Sequence, residues 1–142
     1  MQVVAGLDNP WSRRRSVELA ELRGEPWTMP EADNLAWVLI NEGFRSAGVA
    51  PPDPQVVSNS MAVRTRLVES GGFLTMFPSS TLRFGAKRLR MKILPIEIRT
   101  SDQSVQIITL KNRTPNPIAK LFLDELKSVV EPQRAKTRLP QR

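Results

Sequence analysis

The 142-residue chain contains twelve prolines and seven glycines, which cut its apolar residues into short runs. Proline fixes φ and lacks an N–H, so it ends helices and central strands; glycine takes the left-handed conformation that stops a helix. Such a chain must fold from brief strands and helices that share a core. Met1 to Gly6 is an apolar run stopped by Gly6 and the Asp8-Asn9-Pro10 turn, which predicts a buried strand. Ser16 is placed to cap a short helix with Leu19, Ala20 and Leu22 inward and Gly24 at its end. Trp27-Thr28-Met29, closed by Pro30, is a second brief strand.

From Asp33 the apolar period becomes helical and predicts a helix from Asp33 to Ala47, with Asp33 as cap and Gly48 as stop. Leu35 and Leu39 mark its inner side, and Trp37 and Ile40 give it a second apolar face. Pro51, Pro52 and Pro54 hold a linker extended before a strand at Gln55 to Ser58. Asn59 or Ser60 can cap a second helix running through Val63, Leu67 and Val68, ended by Gly71 and Gly72. Phe73 to Phe77 is a buried strand cut by Pro78, and Ser79 to Leu82 is one helical turn. Met91 to Ile98 alternates, with Pro95 placing it at an edge, a bulge or a crossing segment, and Val105 to Leu110 is a further strand. Pro115 and Pro117 introduce a last helix with Ile118, Leu121, Phe122, Leu123 and Leu126 as its apolar face. The tail beyond Pro132 is polar, basic and expected to be disordered. Strands alternating with helices make an α/β fold, a class that hosts many functions.

There is no Cys, His or Tyr, which excludes disulfides, thiol nucleophiles, Cys/His zinc sites and any triad with an imidazole base. Asp124 and Glu125 are adjacent on a helix and point apart, and Ser79, Ser80 and Thr81 have no base partner. The chain is therefore not expected to be an enzyme or to carry a cofactor or metal. No stretch approaches the roughly 18 apolar residues of a membrane span, and Met1 to Pro10 does not resemble an export signal. A cytoplasmic protein without membrane contact is the expectation. The net charge of +7 concentrates at Arg13 to Arg15, at Arg83, Lys87, Arg88, Arg90 and Lys92, and at Arg134, Lys136, Arg138 and Arg142. These runs lack interleaved aromatics, so solvated surface charge is the simpler account and direct nucleic-acid binding the alternative.

Landmarks in order are more specific than composition. Val3-Val-Ala-Gly-Leu-Asp-Asn-Pro10, Leu19-Ala-Glu-Leu-Arg-Gly-Glu-Pro-Trp27, Phe44-Arg-Ser-Ala-Gly48, Leu67-Val-Glu-Ser-Gly-Gly-Phe-Leu-Thr-Met-Phe-Pro78 and Ala119-Lys-Leu-Phe-Leu-Asp-Glu-Leu126 follow one another at set spacing. The collinear set, over about residues 1 to 130, closely resembles the effector-binding region of LysR-type transcriptional regulators. The resemblance implies a type II periplasmic-binding-protein fold, two α/β lobes joined by crossing strands with a small effector between them. It also implies a truncated chain, with 1–90 as the second lobe, 91–130 as the return crossing and the last strand and helix of the first lobe, and 131–142 as the tail. The helix-turn-helix that would contact DNA is not among these segments. A solute-binding protein of the same fold is the alternative within that resemblance.

The resemblance further implies a small-molecule effector held at strand ends and helix N-termini, where backbone N–H groups and the helix dipole face the ligand. Met29, Pro30 and Glu31 match the family's effector-contacting loop, with Glu31 and Asp33 standing where its pattern is neutral and hydroxyl-rich. Capping of the helix by these two acids is the competing account. Asn59 and Ser60 can reach the cleft or cap their own helix, and Phe77 and Pro78 can wall the cleft or belong to the core. The Asp33 to Ala47 helix corresponds to the family's dimer contact, which implies a homodimer through Trp37 and Ile40.

Overall fold

Three strands form an antiparallel sheet in the order β4 (Leu74–Phe77), β1 (Gln2–Gly6), β5 (Met91–Ile93). The computed structural model describes residues 1–85, 89–101, 106–109 and 116–137, with side chains for all of these except 83–85 and 131–137. The β1/β4 register pairs Val3 with Met76 and Val4 with Thr75, and on the other side Val4 faces Ile93. Continuous apolar runs suit strands buried on both faces, and all four residues of β4 are buried. β2 (Thr28–Met29) and β3 (Val56–Val57) form a short parallel pair, and a parallel bridge from Trp27 to Leu74 joins β2 to β4.

Strand alternation divides the core between two faces. Val3, Ala5, Leu74 and Met76 enter the larger cluster with Trp27, Met29, Leu22, Ile40, Phe44 and Leu94; Val4 and Phe77 enter the smaller one with Val68 and Leu82. Trp27 anchors the larger cluster. Its indole N–H donates to the Leu22 carbonyl at 2.8 Å, and its ring meets Phe44 edge-on at 5.7 Å.

The helices keep most of the expected bounds but not all their caps or phases. Leu19–Leu22 is one 3-10 turn capped by a reciprocal Glu18/Glu21 capping box, not by Ser16, and Ala20 is exposed. α1 (Leu35–Ser46) is capped by Asn34, whose Oδ1 accepts the Ala36 N–H at 2.9 Å, while Asp33 stands outside the cap. Gly48, at φ +69°, reverses the chain after it. Ile40, Gly43 and Phe44 face the core, and Leu35 and Val38 are 63% and 56% exposed. The inner side marked by Leu35 is thus the outer one. Residues 35–40 are apolar without a break, so their pattern carries no phase, and packing of Gly43 against Ile98 sets it instead.

α2 (Met61–Glu69) is capped by Ser60 and followed by Gly71 at φ +82°. It turns Arg64 and Val68 to the sheet and exposes Val63. α3 (Ser79–Gly85) extends the expected single turn.

The chain divides into two units, Met1–Asp102 and Gln103–Arg142. The first includes β5 because it pairs with β1. In the second, residues 106–109 form no strand, with Ile107 and Ile108 exposed; Val105 and Leu110 lie outside the described residues. An alternating run becomes a strand only when a partner edge takes up its N–H and C=O groups. α4 (Pro117–Thr137) opens at Asn116, whose Oδ1 accepts the Ala119 N–H at 2.7 Å. It continues through Pro132, where a disordered tail is expected, because Gln133 to Lys136 are strong helix formers. Its Ile118, Leu121 and Phe122 are exposed.

Candidate functional site

Parallel pairing of β2 with β3 delivers two loops to one edge, and each loop opens a helix. The Ser58 N–H donates to the Met29 carbonyl at 2.9 Å, extending the pairing into the loops. Asn59 then clamps them together. Its Oδ1 accepts the Glu31 N–H at 3.1 Å and the Asn34 side-chain amide at 3.0 Å, and its Nδ2 donates to Glu31 Oε2 at 2.8 Å. The N-cap of α1 and the residue before the N-cap of α2 are therefore held by one side chain. Ser60 Oγ receives the Val63 N–H at 3.4 Å, and the first-turn N–H groups of Met61 and Ala62 have no acceptor among the described residues. Unpaired amides at adjacent helix N-termini present donors and a positive dipole end to solvent.

The expected residues fall into two groups. Met29 and Pro30 are buried at the end of β2, while Glu31, Asn59 and Ser60 stand exposed on the joined loops. Ser60 also caps α2, so capping and an edge position hold together. β4 runs parallel to β2 and ends at the same edge. Phe77 does not wall a cleft, because its ring is buried in the smaller core, and the Arg64 guanidinium covers it at 4.7 Å. Pro78 is half-buried, and its carbonyl accepts the Leu82 N–H at the start of α3. Ile40 is fully buried and cannot meet a second copy; Trp37 packs partly buried against the larger core.

Arg64 is the residue that composition reasoning misses. It is 5% exposed, donates from Nη2 to the Met76 carbonyl at 3.3 Å, and has no hydrogen-bond partner at Nε among the described residues. No carboxylate among the described residues lies within ion-pair reach of it. Burial pushes its pKa down from the usual arginine value, yet a guanidinium stays protonated in proteins. The available signal is its spacing of four from Val68, which puts both on one helix face. The hydroxyl of Thr28, also buried, lacks a partner as well.

A groove of about 280 Å³ lies at the other end of α1, between Val17 to Ala20, Ala47, Val49 and Ile96 to Glu97, and contributes nothing to this edge. Among the described residues no three carboxylates gather as a metal site, and no helix is long and apolar enough to cross a membrane. Replacing Asn59 by Ala removes three hydrogen bonds. The expected result is a loss of about 1 kcal/mol in urea unfolding and faster exchange of the Glu31 amide.

A family model described as the LysR substrate binding domain matches residues 1–131. Among solved structures, the effector-binding domain of QuiR in complex with shikimate is similar at TM-score 0.64 and 20% identity, over 87% of this chain and 57% of that one. The regulatory domain of CcmR from Synechocystis PCC6803, in complex with 2-PG, is similar at TM-score 0.62 and 18% identity, over 90% and 61%. The chain thus spans about three-fifths of the length of these structures. No curated protein matches it.

Proposed function

Because the chain belongs to the LysR substrate-binding domain family, we propose that it senses a small-molecule effector at the edge where β2 and β3 end, within a transcription regulator. The observation that carries this assignment is the Asn59 clamp, which joins two helix N-termini at one edge. Met29, Pro30, Glu31, Asn59 and Ser60 form the site. An effector acts by binding one arrangement of the loops better than another, since a ligand shifts an equilibrium only by its differential affinity. The chain is a cytoplasmic binding module and not an enzyme, and DNA contact comes from a helix-turn-helix outside it. The similar domains in complex with shikimate and 2-PG support small oxygen-rich molecules as the first probes. In calorimetry with these and other small polar metabolites, at least one binds saturably, and Asn59→Ala weakens it about tenfold, or roughly 1.4 kcal/mol. Unchanged affinity in that variant would move the site elsewhere.

Leu121, Phe122 and Leu126 give α4 an exposed apolar face, and such a face suits packing on another polypeptide segment. Expected for the isolated chain is exchange of the α4 amides on the order of a hundredfold faster than those of β1. Equal protection in a dilute monomer would remove the need for such cover. A homodimer is the assembly implied, and its contact falls on the exposed Leu35 and Val38 rather than on Trp37 and Ile40.

A further inference from the structure

Three arginines in a row, Arg13, Arg14 and Arg15, stand exposed at the end of the 3-10 turn Pro10–Arg13. Adjacent like charges repel one another and add nothing to the stability of such a turn. The fold nevertheless builds a support beneath them. Asn9 Oδ1 accepts the Trp11 N–H at 3.0 Å while its Nδ2 donates to the Gly71 carbonyl at 2.9 Å, and the buried Ser12 donates from Oγ to the Leu7 carbonyl at 2.9 Å. The Arg14 guanidinium lies over the Trp11 ring at 5.6 Å from its centroid.

The second basic run is far away in sequence, and β5 brings its end to the first. Lys92 Nζ donates at 2.6 Å to the carbonyl of Ser12, the residue before Arg13, and the Arg90 carbonyl accepts the Leu7 N–H at 3.2 Å. Lys87, Arg88 and the Arg83 side chain lie outside the described residues. Asp8 pairs with Arg90 at 3.4 Å. Among the described residues no carboxylate lies within ion-pair reach of Arg13, Arg14, Arg15 or Lys92. An ammonium group has three donors, so Lys92 keeps donors beyond its bond to Ser12.

We propose that Arg13, Arg14, Arg15 and Lys92 form a docking surface for the phosphate backbone of duplex DNA, without regard to its sequence. The surface stands apart from the effector edge and draws on the family assignment only for the choice of partner. In a transcription regulator whose helix-turn-helix lies outside this chain, DNA held by that element presents phosphates to this unit at high effective concentration. Guanidinium groups match phosphate bidentately, and stacking on Trp11 orients one of them before contact, so less rotamer freedom is lost on binding. Phosphate contacts position a protein on the duplex and leave base reading to other elements.

The test uses the full chain and a short fluorescent duplex of arbitrary sequence, with anisotropy followed over a salt series. Each phosphate contact contributes about 0.9 to the slope of log K against log salt, so replacing Arg13, Arg14 and Arg15 together by Gln should flatten the slope by about 2.7 and weaken low-salt binding at least about tenfold. The same three positions changed to Lys should keep the slope. Arg23→Gln with Arg45→Gln, which removes two exposed arginines elsewhere on the unit, should change it by less than about 0.5. Arg13→Gln with Arg15→Gln, which leaves Arg14 on Trp11, makes the comparison with a flattening of about 1.8 should the triple variant lose its helical signal. No binding at low salt, a slope unchanged by loss of the run, or an equal change in the Arg23 and Arg45 variant overturns the proposal. Polyglutamate bound as tightly as the duplex and through the same arginines also overturns it, and gives the surface to an acidic protein segment instead.

Discussion

Replacing Trp27 by Ala is expected to abolish cooperative unfolding of the 1–102 unit. The indole is fully buried, contacts Phe44 edge-on and donates to the Leu22 carbonyl. Truncating a buried Trp costs about 3–5 kcal/mol, and the carbonyl left unsatisfied adds about 1 more. That sum reaches the whole stability of a small domain. Trp27 also bridges β2 to β4, and its N–H is received by the Gln55 side chain at 2.6 Å. Its loss therefore detaches the strand that carries the Met29 to Glu31 loop. Urea unfolding followed by circular dichroism checks this: a sigmoidal transition shifted by less than 1 kcal/mol would contradict the packing described.

The second large effect is at Gly6. A β-carbon built there falls well inside contact with the Val68 backbone carbonyl oxygen and close to Gly71, so β1 and α2 approach through backbone alone. Gly6→Ala must push α2 away from the sheet, and neither contact is a flexible side-chain end that could yield. Overpacking of this kind costs about 3 kcal/mol, and here it also shifts the helix that carries Ser60 and Arg64. The expected result is a lowered melting temperature together with weakened effector binding. A variant with wild-type stability would show that α2 can move freely.

The contrast between Gly6 and Arg64 marks what this sequence discloses. Gly6 reads as the end of a strand, and the need for a bare backbone beneath Val68 is a tertiary fact that no local pattern carries. β1, β4 and the two capped helices are legible because continuous apolar runs, proline stops and Asn or Ser caps act locally. The inward face of α1 is not, since Leu35 to Ile40 is apolar at every position and only the partner surface selects Ile40 and Phe44. Val105 to Leu110 has the alternation of a strand, but residues 106–109 take no partner edge among the described residues. Met29 to Glu31 and Asn59-Ser60, which the sequence offers as two separate places, lie together because β2 and β3 pair in parallel. Arg64 escapes notice because hydropathy assigns arginine to the surface, and its burial depends on the phase that Ser60 and Gly71 impose on α2.

Hydrogen exchange of the full chain with and without saturating shikimate, 2-PG or inorganic phosphate tests the effector site most directly, because it reports where binding orders the backbone. The account predicts added protection confined to residues 29–36 and 57–64, the two joined loops and first helical turns, with the rest of the 1–102 unit unchanged. Protection appearing instead around Val17 to Ala20, Ala47, Val49 and Ile96, the groove at the far end of α1, would place the effector there and contradict it.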